Sequence, residues 1–200
     1  MPRPPDAELE ERIVAAAMRL LDRGGEPAIT LRAVAKEAGT TTPTIYQRFR
    51  NREVLMKRLI DQITEETMVM FESTRSIEAM FRAFLDDSRA HAMRVNLVVQ
   101  TFGARYVSGE RMPAFELLQT RIEVEVGIRG RECEDLALAI ASLAFGTAQG
   151  MIAAGKDSRH AAQFQRTALE ALRMLLAAFS RNGKGRVAAR RAQKKKARLR

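Results

Sequence analysis

The sequence predicts an all-helical (all-α) protein of about nine helices, with a helix-turn-helix close to its amino terminus. Apolar residues recur at helical spacing along most of the 200-residue chain. No stretch alternates apolar and polar residues for long enough to predict a β-sheet. Glycine and proline stand between the apolar runs, where helices end and begin. We therefore expect a compact amino-terminal helical bundle followed by a larger helical domain.

The first helices are predicted from their caps and turn residues. The first helix runs from about Ala7 to Arg23 and ends at Gly24-Gly25. Thr30 and Asn51 are good N-caps for the second and fourth helices. These helices are close together in sequence, which predicts a compact bundle.

The third helix is separated from the second by Gly39. It begins in Thr40-Thr41-Thr42, with Pro43 in its first turn. A missing backbone N–H costs nothing there, because that donor has no partner inside the helix. Ile45 and Phe49, four residues apart, give the helix one buried edge. The second and third helices are thus a predicted helix-turn-helix.

Five further helices are expected beyond Phe71. Their predicted ranges are about Ile77–Met93, Val95–Tyr106, Pro113–Ile128, Glu134–Ala154 and Ser158–Ser180. The last two are joined by the short turn Gly155-Lys156-Asp157, which predicts an antiparallel pair.

The net charge of +10 is concentrated in one segment. Residues 181–200 hold ten of the 34 basic residues and none of the 24 acidic ones, so residues 1–180 carry no formal net charge. Like charges repel and the segment has almost nothing to bury, so on its own it is expected to be disordered. The segment could contact DNA phosphates, RNA or an anionic membrane, or it could serve only to keep the protein soluble. We favour contact with DNA.

Composition excludes several classes of protein. The amino terminus becomes acidic directly after MPRPP and lacks the apolar run of a signal peptide. No apolar stretch approaches the roughly 20 residues that cross a bilayer. Cys133 is the one cysteine, so it cannot form an internal disulfide and has no partner at zinc spacing. We expect a cytoplasmic protein without a cofactor, a metal or a membrane partner.

An enzyme is not expected either. His91 and His160 are isolated, and Asp87 is the only obvious partner of His91. The chain has no glycine-rich phosphate loop, paired-carboxylate pattern or HExxH pattern. Cys133 lies between two glutamates, which should disfavour its thiolate.

The outer side of the third helix is polar and indicates DNA binding. A helix-turn-helix places its second helix in the major groove, where each base pair presents its own pattern of donors, acceptors and methyl groups. Gln47 can bond adenine through two contacts, and Thr42 and Thr44 can touch base edges or thymine methyl groups. Thr41 and Tyr46 suit phosphate groups.

Three residues beside the helix-turn-helix could hold the DNA backbone without reading sequence: Thr30, Arg50 and Arg52. The complete set of candidate DNA-binding residues is Thr30, Thr41, Thr42, Pro43, Thr44, Tyr46, Gln47, Arg48, Arg50 and Arg52. The alternative is that the threonines only cap helices and the arginines are solvated charges.

These residues resemble a known family. The stretch from about residue 9 to 61, including AAAMRLLDRGGEPAITLRAVAKEAGTTTPTIYQRFRNREVLMKRLID, is similar to the amino-terminal DNA-binding domain of tetracycline-repressor (TetR) family regulators of bacterial transcription. The residues that carry the resemblance are Gly24, Thr30, Val34, Ala35, Ala38-Gly39, Tyr46, Phe49, Glu53 and Leu55. Two positions differ. Pro43 stands where the family commonly has a small residue, and Arg52 stands where lysine is common.

The resemblance together with the composition predicts three regions. Residues 1–50 are expected to bind DNA, and residues 51–180 to bind a ligand and dimerise, with 51–61 starting the connecting helix. Residues 181–200 are the basic tail. The resemblance also implies a homodimer that represses transcription from a pseudo-palindromic double-stranded DNA operator. A small-molecule effector would fill a pocket and move the two reading heads apart. The rival interpretation is a nucleoid-type architectural protein dominated by its tail, without a ligand.

The expected pocket is apolar and rich in methionine and aromatic side chains, which adapt to varied ligands. Its candidate residues are Met68, Phe71, Met80, Phe84, Met93, Phe102, Tyr106, Phe115, Leu118, Ile122 and Phe145. Polar residues that could orient a ligand are Arg94, Asn96, Gln100, Arg105 and Gln149. The alternative is that the apolar set is ordinary core.

The expected dimer interface is formed by the last two helices of the body, half of a four-helix bundle. Its candidate residues are Leu136, Ile140, Leu143, Thr147, Met151, Phe164, Leu172, Leu175 and Phe179, with Gly146 and Gly150 allowing close backbone approach. The alternative is that both helices simply pack onto the domain's own core.

Overall fold

The computed structural model describes residues 5–155 and 158–197, with side chains for residues 7–155 and 158–180. This part of the chain folds into nine α-helices and one short 3₁₀ helix and contains no strand, which confirms the all-helical prediction. The α-helices are α1 Pro5–Gly24, α2 Leu31–Glu37, α3 Thr42–Arg48, α4 Arg52–Glu72, α5 Ile77–Ala90, α6 Ala92–Val107, α7 Pro113–Glu125, α8 Arg131–Ala154 and α9 Arg159–Ala197. The 3₁₀ helix, Glu26–Ala28, lies between α1 and α2.

The chain divides into two compact units. The first consists of the chain up to Val69 together with Ala90–Arg111, and the second of Met70–Arg89 together with the chain from Met112 onward. The first unit therefore contains α1 to α3, most of α4, and α6. It extends beyond the predicted range 1–50, since parts of α4 and α6 complete its core.

The core of the first unit is built from the inner faces of its helices. Its fully buried side chains include Ile13, Leu21, Ile29, Ile45, Leu55 and Leu59, with Leu97 of α6 nearly so. Five of these residues, all but Ile29 and Leu97, come from the apolar positions that predicted helices, so their burial follows the 3.6-residue period, whereas Ile29 lies in the connection between α1 and α2. The short α2 and α3 depend on this packing, because helices of their length are marginal alone.

The second unit contains the end of α4, α5, and α7 to α9, and α8 packs on both α7 and α9. Two side chains of α7 hold the turn between α4 and α5. The Arg121 guanidinium donates to the carbonyl oxygens of Phe71 and Thr74, both at 2.7 Å. The Glu125 carboxylate accepts from the Ile77 N–H at 2.9 Å. A cation thus lies at the carboxyl end of α4 and an anion at the amino end of α5, as the helix dipoles favour.

Several helix ends differ from the predicted ones. The helix predicted to continue to Met93 ends at Ala90, and α6 begins at Ala92. α9 passes the predicted end at Ser180 and reaches Ala197, so its backbone is helical where an irregular segment was expected. Alanine, arginine, lysine and glutamine are strong helix formers, and the prediction weighed charge repulsion above this preference. Any contacts of the basic side chains lie outside the described residues.

α8 is long and apolar enough to cross a membrane by length and composition. This corrects the expectation that no stretch approaches that length. Its apolar residues occupy more than one side: Leu136, Ile140 and Met151 are buried in the second unit, whereas Gly146 is exposed. A core helix of a soluble domain has the same composition, so one such helix is weak evidence for a membrane.

Candidate nucleic-acid interface

The turn between α2 and α3 is a Schellman motif centred on Gly39. The Thr40 N–H donates to the Ala35 carbonyl at 2.9 Å, and the Gly39 N–H donates to the Lys36 carbonyl at 3.3 Å. Gly39 has a φ of +65°, which a residue with a Cβ adopts only with strain. This glycine therefore fixes the direction in which the chain enters α3.

α3 is anchored on one side and open on the other. Ile45 is fully buried and Phe49 is nearly so, as predicted. On the opposite side Pro43, Tyr46 and Gln47 are exposed, with 55% of Tyr46 accessible. We call these three residues the α3 outer stripe, because their spacing places them on one face of the helix. Thr42, Thr44 and Arg48 are half-buried beside it.

The two predicted cap threonines are caps. The Thr30 Oγ1 accepts from the Ala33 N–H at 3.1 Å at the start of α2. The Thr41 Oγ1 accepts from the Thr44 N–H at 3.3 Å and lies 2.8 Å from the Thr44 hydroxyl oxygen. Both cap residues are exposed, and a hydroxyl that accepts a bond retains a proton to donate. Capping and phosphate binding are therefore compatible, rather than the alternatives that the sequence posed.

The two arginines after α3 differ in their surroundings. Arg50 is exposed and makes no hydrogen bond or ion pair with the described residues. Arg52 is half-buried, and its guanidinium donates to the Ile29 carbonyl at 2.8 Å and to the Glu26 carbonyl at 3.0 Å. The same group contacts the Glu26 carboxylate at 3.1 Å. Only Arg50 has the open position that was predicted for both.

α1 holds α2 through three arginines. Arg12 donates to the Ala38 carbonyl at 3.2 Å, at the carboxyl end of α2. Arg19 and Arg23 contact the Glu37 carboxylate at 2.8 Å and 2.6 Å. Hydrogen bonds from these two guanidinium groups lower the pKa of Glu37 from its ordinary value, and the bond from Arg19 has the larger effect. This cluster was not among the predicted contacts, although charges four residues apart on α1 indicate an interacting face.

Two further cations were also missed. Arg32 and Lys36 are exposed on the outer side of α2, four residues apart. Their spacing opposite the buried Val34 and Ala35 is the signal that could have found them. They add positive charge beside the helix-turn-helix.

Residues 13–59 match the model of bacterial regulatory proteins of the tetR family. The matched stretch includes the whole helix-turn-helix and its anchoring residues on α1 and α4. Residues 13–59 therefore form the DNA-binding domain of a TetR-family regulator. No curated protein matches the regulator significantly in sequence.

Solved structures extend the likeness to most of the regulator. The structure of BioQ has a TM-score of 0.61 at 22% identity, covering 85% of this chain and 96% of that one. A TetR-like transcriptional regulator from Rhodococcus sp. RHA1 has a TM-score of 0.61 at 18% sequence identity, covering 88% of this chain and 96% of that one. A TetR-family regulator from Pectobacterium atrosepticum gives 0.58 at 17%, covering 88% and 96%. At sequence identities of 17% to 22%, these comparisons show that the proteins share a fold.

The predicted pocket residues are divided between the two units of the regulator. Met68, Met93, Phe102 and Tyr106 belong to the first unit, and the other seven to the second. In the second unit the buried members are Phe71, Met80, Phe84, Phe115, Leu118 and Ile122, and the Phe84 and Phe145 rings are 5.7 Å apart between centroids. Phe102 and Tyr106 stack at 6.2 Å.

The polar residues named with the pocket have other partners. Arg94 pairs with Asp22 and Glu66, and Arg105 with Glu110 at 2.9 Å. Asn96 and Gln149 are half-buried and are not free of contacts, whereas Gln100 is exposed. Two clefts of the second unit, of about 260 Å³ and 540 Å³, are lined by none of the predicted pocket residues. The pocket stays a prediction.

The predicted dimer residues fall into two groups. Leu136, Ile140, Thr147, Met151 and Leu172 are buried within the second unit itself, the packing that the sequence offered as the alternative to an interface. Leu143, Leu175 and Phe179 are half-buried, and Phe164 is 46% exposed. Both sides of α8 are apolar or small, and the dimer interface stays a prediction.

The described residues hold no group of three or more His, Cys, Asp or Glu side chains placed to bind a metal. Cys133 is buried, and its thiol lies 3.4 Å from the Gln119 carbonyl. Burial, with smaller effects of Glu123 and Glu134, raises the pKa of this thiol above its ordinary value. The thiolate is disfavoured, in the predicted direction, with burial as the larger cause.

Proposed function

We propose that this TetR-family regulator is a repressor that binds a pseudo-palindromic operator as a homodimer and is released by a small apolar or amphipathic ligand. The observation that carries the proposal is the α3 outer stripe, a row of exposed side chains on a helix anchored by Ile45 and Phe49. An α-helix with such a stripe fits the major groove. The rigid anchor gives each side chain a defined position.

Within this proposal Gln47 reads bases. Its amide can make two hydrogen bonds with adenine, and its side chain is exposed in the α3 outer stripe. Tyr46 and Thr41 contact phosphates, and Thr30 does so at the start of α2, where the helix dipole also favours an anion. Arg50 supplies an unengaged positive charge beside them. These contacts to phosphate fix the register that lets Gln47 discriminate.

The homodimer is proposed to form through the exposed sides of α8 and α9. α8 presents small residues there, among them Ser142, Gly146 and Ala153. α9 presents Phe164 and Met174, which are 46% and 73% exposed. Small residues allow two helices to approach closely, and large exposed apolar side chains gain most from being covered. A second copy of this surface supplies both, as a twofold interface requires.

The effector is proposed to be apolar or amphipathic because of the aromatic and methionine side chains in the second unit. Met80, Phe84 and Phe115 are buried there, and Phe145 is half-buried against Phe84. Methionine adapts its shape readily, and aromatic side chains offer large apolar surfaces to a ligand.

The basic segment 181–200 is proposed to contact DNA phosphates outside the operator half-sites. It carries ten basic residues and no acidic one, whereas the rest of the chain has no formal net charge. Tethering the segment to a DNA-bound reading head raises its effective concentration near the duplex. Its contribution is therefore expected to be affinity without sequence preference.

Selection from a random DNA pool tests the proposal. A dimeric repressor should enrich one site with two inverted halves, spaced about one helical turn or a multiple apart. Competition with random DNA should show a preference of roughly 10³-fold or more at physiological salt. A nucleoid-type protein would enrich no site and would contradict the proposal. Repression is then read from a reporter placed behind the enriched site.

A further inference from the structure

Arg52 begins α4 but directs its guanidinium at the connection between α1 and α2. Its Nε donates to the Ile29 carbonyl at 2.8 Å. Its Nη2 donates to the Glu26 carbonyl at 3.0 Å and to the Glu26 carboxylate at 3.1 Å. One edge of the planar fork, an edge that would grip a phosphate through two bonds, is therefore filled by oxygen atoms of the protein.

We propose that Arg52 is a positioning residue for the DNA contact at the start of α2, and not itself a phosphate ligand. The proposal rests on the proposed DNA binding through α2 and α3. It reverses the role that the sequence predicted for Arg52.

The geometry shows what Arg52 positions. The Ile29 carbonyl belongs to the same rigid peptide plane as the Thr30 N–H. Holding that oxygen fixes the orientation of the plane, and so the direction in which the chain enters Thr30. The Thr30 N–H is held from its other side by the Ala28 carbonyl at 3.1 Å. Thr30 then caps α2, and its hydroxyl is the group proposed to reach a phosphate.

Apart from Arg52, short-range backbone hydrogen bonds and one buried side chain keep the shape of this connection. Within it the Ala28 N–H donates to the Gly25 carbonyl and the Ile29 N–H to the Glu26 carbonyl, both at 3.1 Å. The connection starts at Gly25, whose φ of +67° lets the chain leave α1 sharply. It continues through the single turn Glu26–Ala28. The buried side chain of Ile29 anchors the segment in the core, while Arg52 holds its backbone through the Ile29 carbonyl. Without the guanidinium, the Ile29 carbonyl loses this donor and the Glu26 carbonyl keeps only the Ile29 N–H, so the position of Thr30 becomes less defined.

A lysine at position 52 could not make the contacts that the Arg52 guanidinium makes. An ammonium group is a point charge at the end of a flexible stem, whereas the guanidinium presents donors in a fixed plane. A phosphate contact, in contrast, is well served by lysine. The two roles of Arg52 therefore give opposite expectations for Arg52→Lys.

The first test compares Arg52→Gln with Arg50→Gln, two neighbouring arginines with the same change. Binding to the enriched operator is measured from about 50 to 300 mM salt. Arg50→Gln should lower the slope of log K against log salt by about 0.9 for each half-site, since one phosphate contact is lost. Arg52→Gln should weaken binding about tenfold while leaving that slope unchanged. An equal loss of slope in both variants would overturn the positioning role.

The second test asks whether DNA binding becomes tighter or weaker when Glu26 is replaced. Glu26→Ala removes a negative charge near the DNA, so charge alone predicts tighter binding. Loss of an Arg52 partner predicts weaker binding, by about two- to threefold. Arg52→Lys should resemble Arg52→Gln and not the wild type. Tighter binding by Glu26→Ala, or full binding by Arg52→Lys, would each contradict the proposal.

Glu26→Ala keeps the proposal testable where the arginine variants misfold, because it leaves the backbone contacts of Arg52 in place. Thermal melting is measured for every variant, and Glu26→Ala is the deciding variant where Arg52→Gln does not fold. A wild-type protein that selects no DNA sequence would show that the proposed function fails, and the positioning role fails with it. Selective wild-type binding with a slope loss in Arg52→Gln overturns the positioning role alone.

Discussion

Arg94 and Asp22 form a two-point ion pair although they are 72 residues apart in sequence. The Arg94 Nε lies 2.8 Å from one Asp22 carboxylate oxygen, and its Nη2 lies 2.6 Å from the other. The third nitrogen, Nη1, donates to Glu66 at 3.1 Å. One guanidinium on α6 thus ties together α1 and α4 within the unit that carries the helix-turn-helix.

We expect Arg94→Gln to destabilise the first unit by about 1 kcal/mol, since charge-assisted bonds are lost from a side chain that is only 21% exposed. Chemical denaturation measures the loss. The control is Arg129→Gln, because Arg129 is 82% exposed and lies 3.6 Å from Glu123, a geometry that contributes little. Equal effects of the two changes would contradict the importance assigned to the Arg94 contacts.

Gln47 and Tyr46 are expected to differ in what they contribute to DNA binding. Gln47→Ala should change the preference among base pairs at one position of each half-site, by about 1–3 kcal/mol. Tyr46→Phe removes only a hydroxyl proposed to reach a phosphate, so it should weaken binding to all sequences similarly. Selection and competition with single-base variants of the operator measure both. If neither preference nor affinity changed in Gln47→Ala, the placement of α3 in the groove would be wrong.

The Glu37 carboxylate should make stability depend on pH in one direction. Arg19 and Arg23 lower its pKa in the folded protein, so the unfolded chain binds a proton at higher pH than the folded one does. Its stabilising contribution is then complete above the ordinary carboxylate pKa and is lost as pH falls through the lowered value. Glu37→Gln should flatten the fall in melting temperature between about pH 5 and about pH 3. Glu8→Gln, at an exposed position of α1, is the control and should leave the profile unchanged.

Two residues of α9, two positions apart, distinguish the proposed dimer surface from the core. Met174 is 73% exposed and Leu172 is fully buried. Met174→Lys should raise the dimer dissociation constant at least about tenfold and leave the fold intact. Leu172→Ala should cost about 2–5 kcal/mol of stability through the cavity it creates. Sedimentation equilibrium and denaturation measure the two effects. A Met174→Lys protein that remains fully dimeric would place the interface elsewhere.

The sequence was a good guide where one face of a helix differed clearly from the other. In α3 the apolar Ile45 and Phe49 stand against polar neighbours, so both the buried edge and the outer stripe followed from spacing. In α8 that contrast is absent. Leucine and alanine occur around most of the helix, so periodicity could not tell that Leu136 and Ile140 face the core of the second unit itself.

Long-range polar contacts lay beyond the sequence for another reason. Arg52 finds its partners 23 and 26 residues earlier, in a connection whose path depends on the packing of Ile29. Nothing in the local pattern distinguishes it from Arg50, which stays open to solvent. The same holds for Arg94, whose partners lie on two other helices. Local spacing predicts which residues share a helix face, but not which distant carboxylate or carbonyl a long side chain reaches.

Removal of residues 181–200 tests the proposed role of the basic segment. Each phosphate contact that is lost should lower the salt slope of binding by about 0.9, and the chain carries ten candidate cations in this segment. Preference among operator variants should not change, because phosphate contacts carry no sequence information. A full-length protein with Lys194, Lys195 and Lys196 replaced by glutamine separates charge from length, and it should show part of the same loss. A truncated protein that keeps the wild-type slope would show that the segment does not touch DNA. The helix-turn-helix would then supply the whole electrostatic contribution.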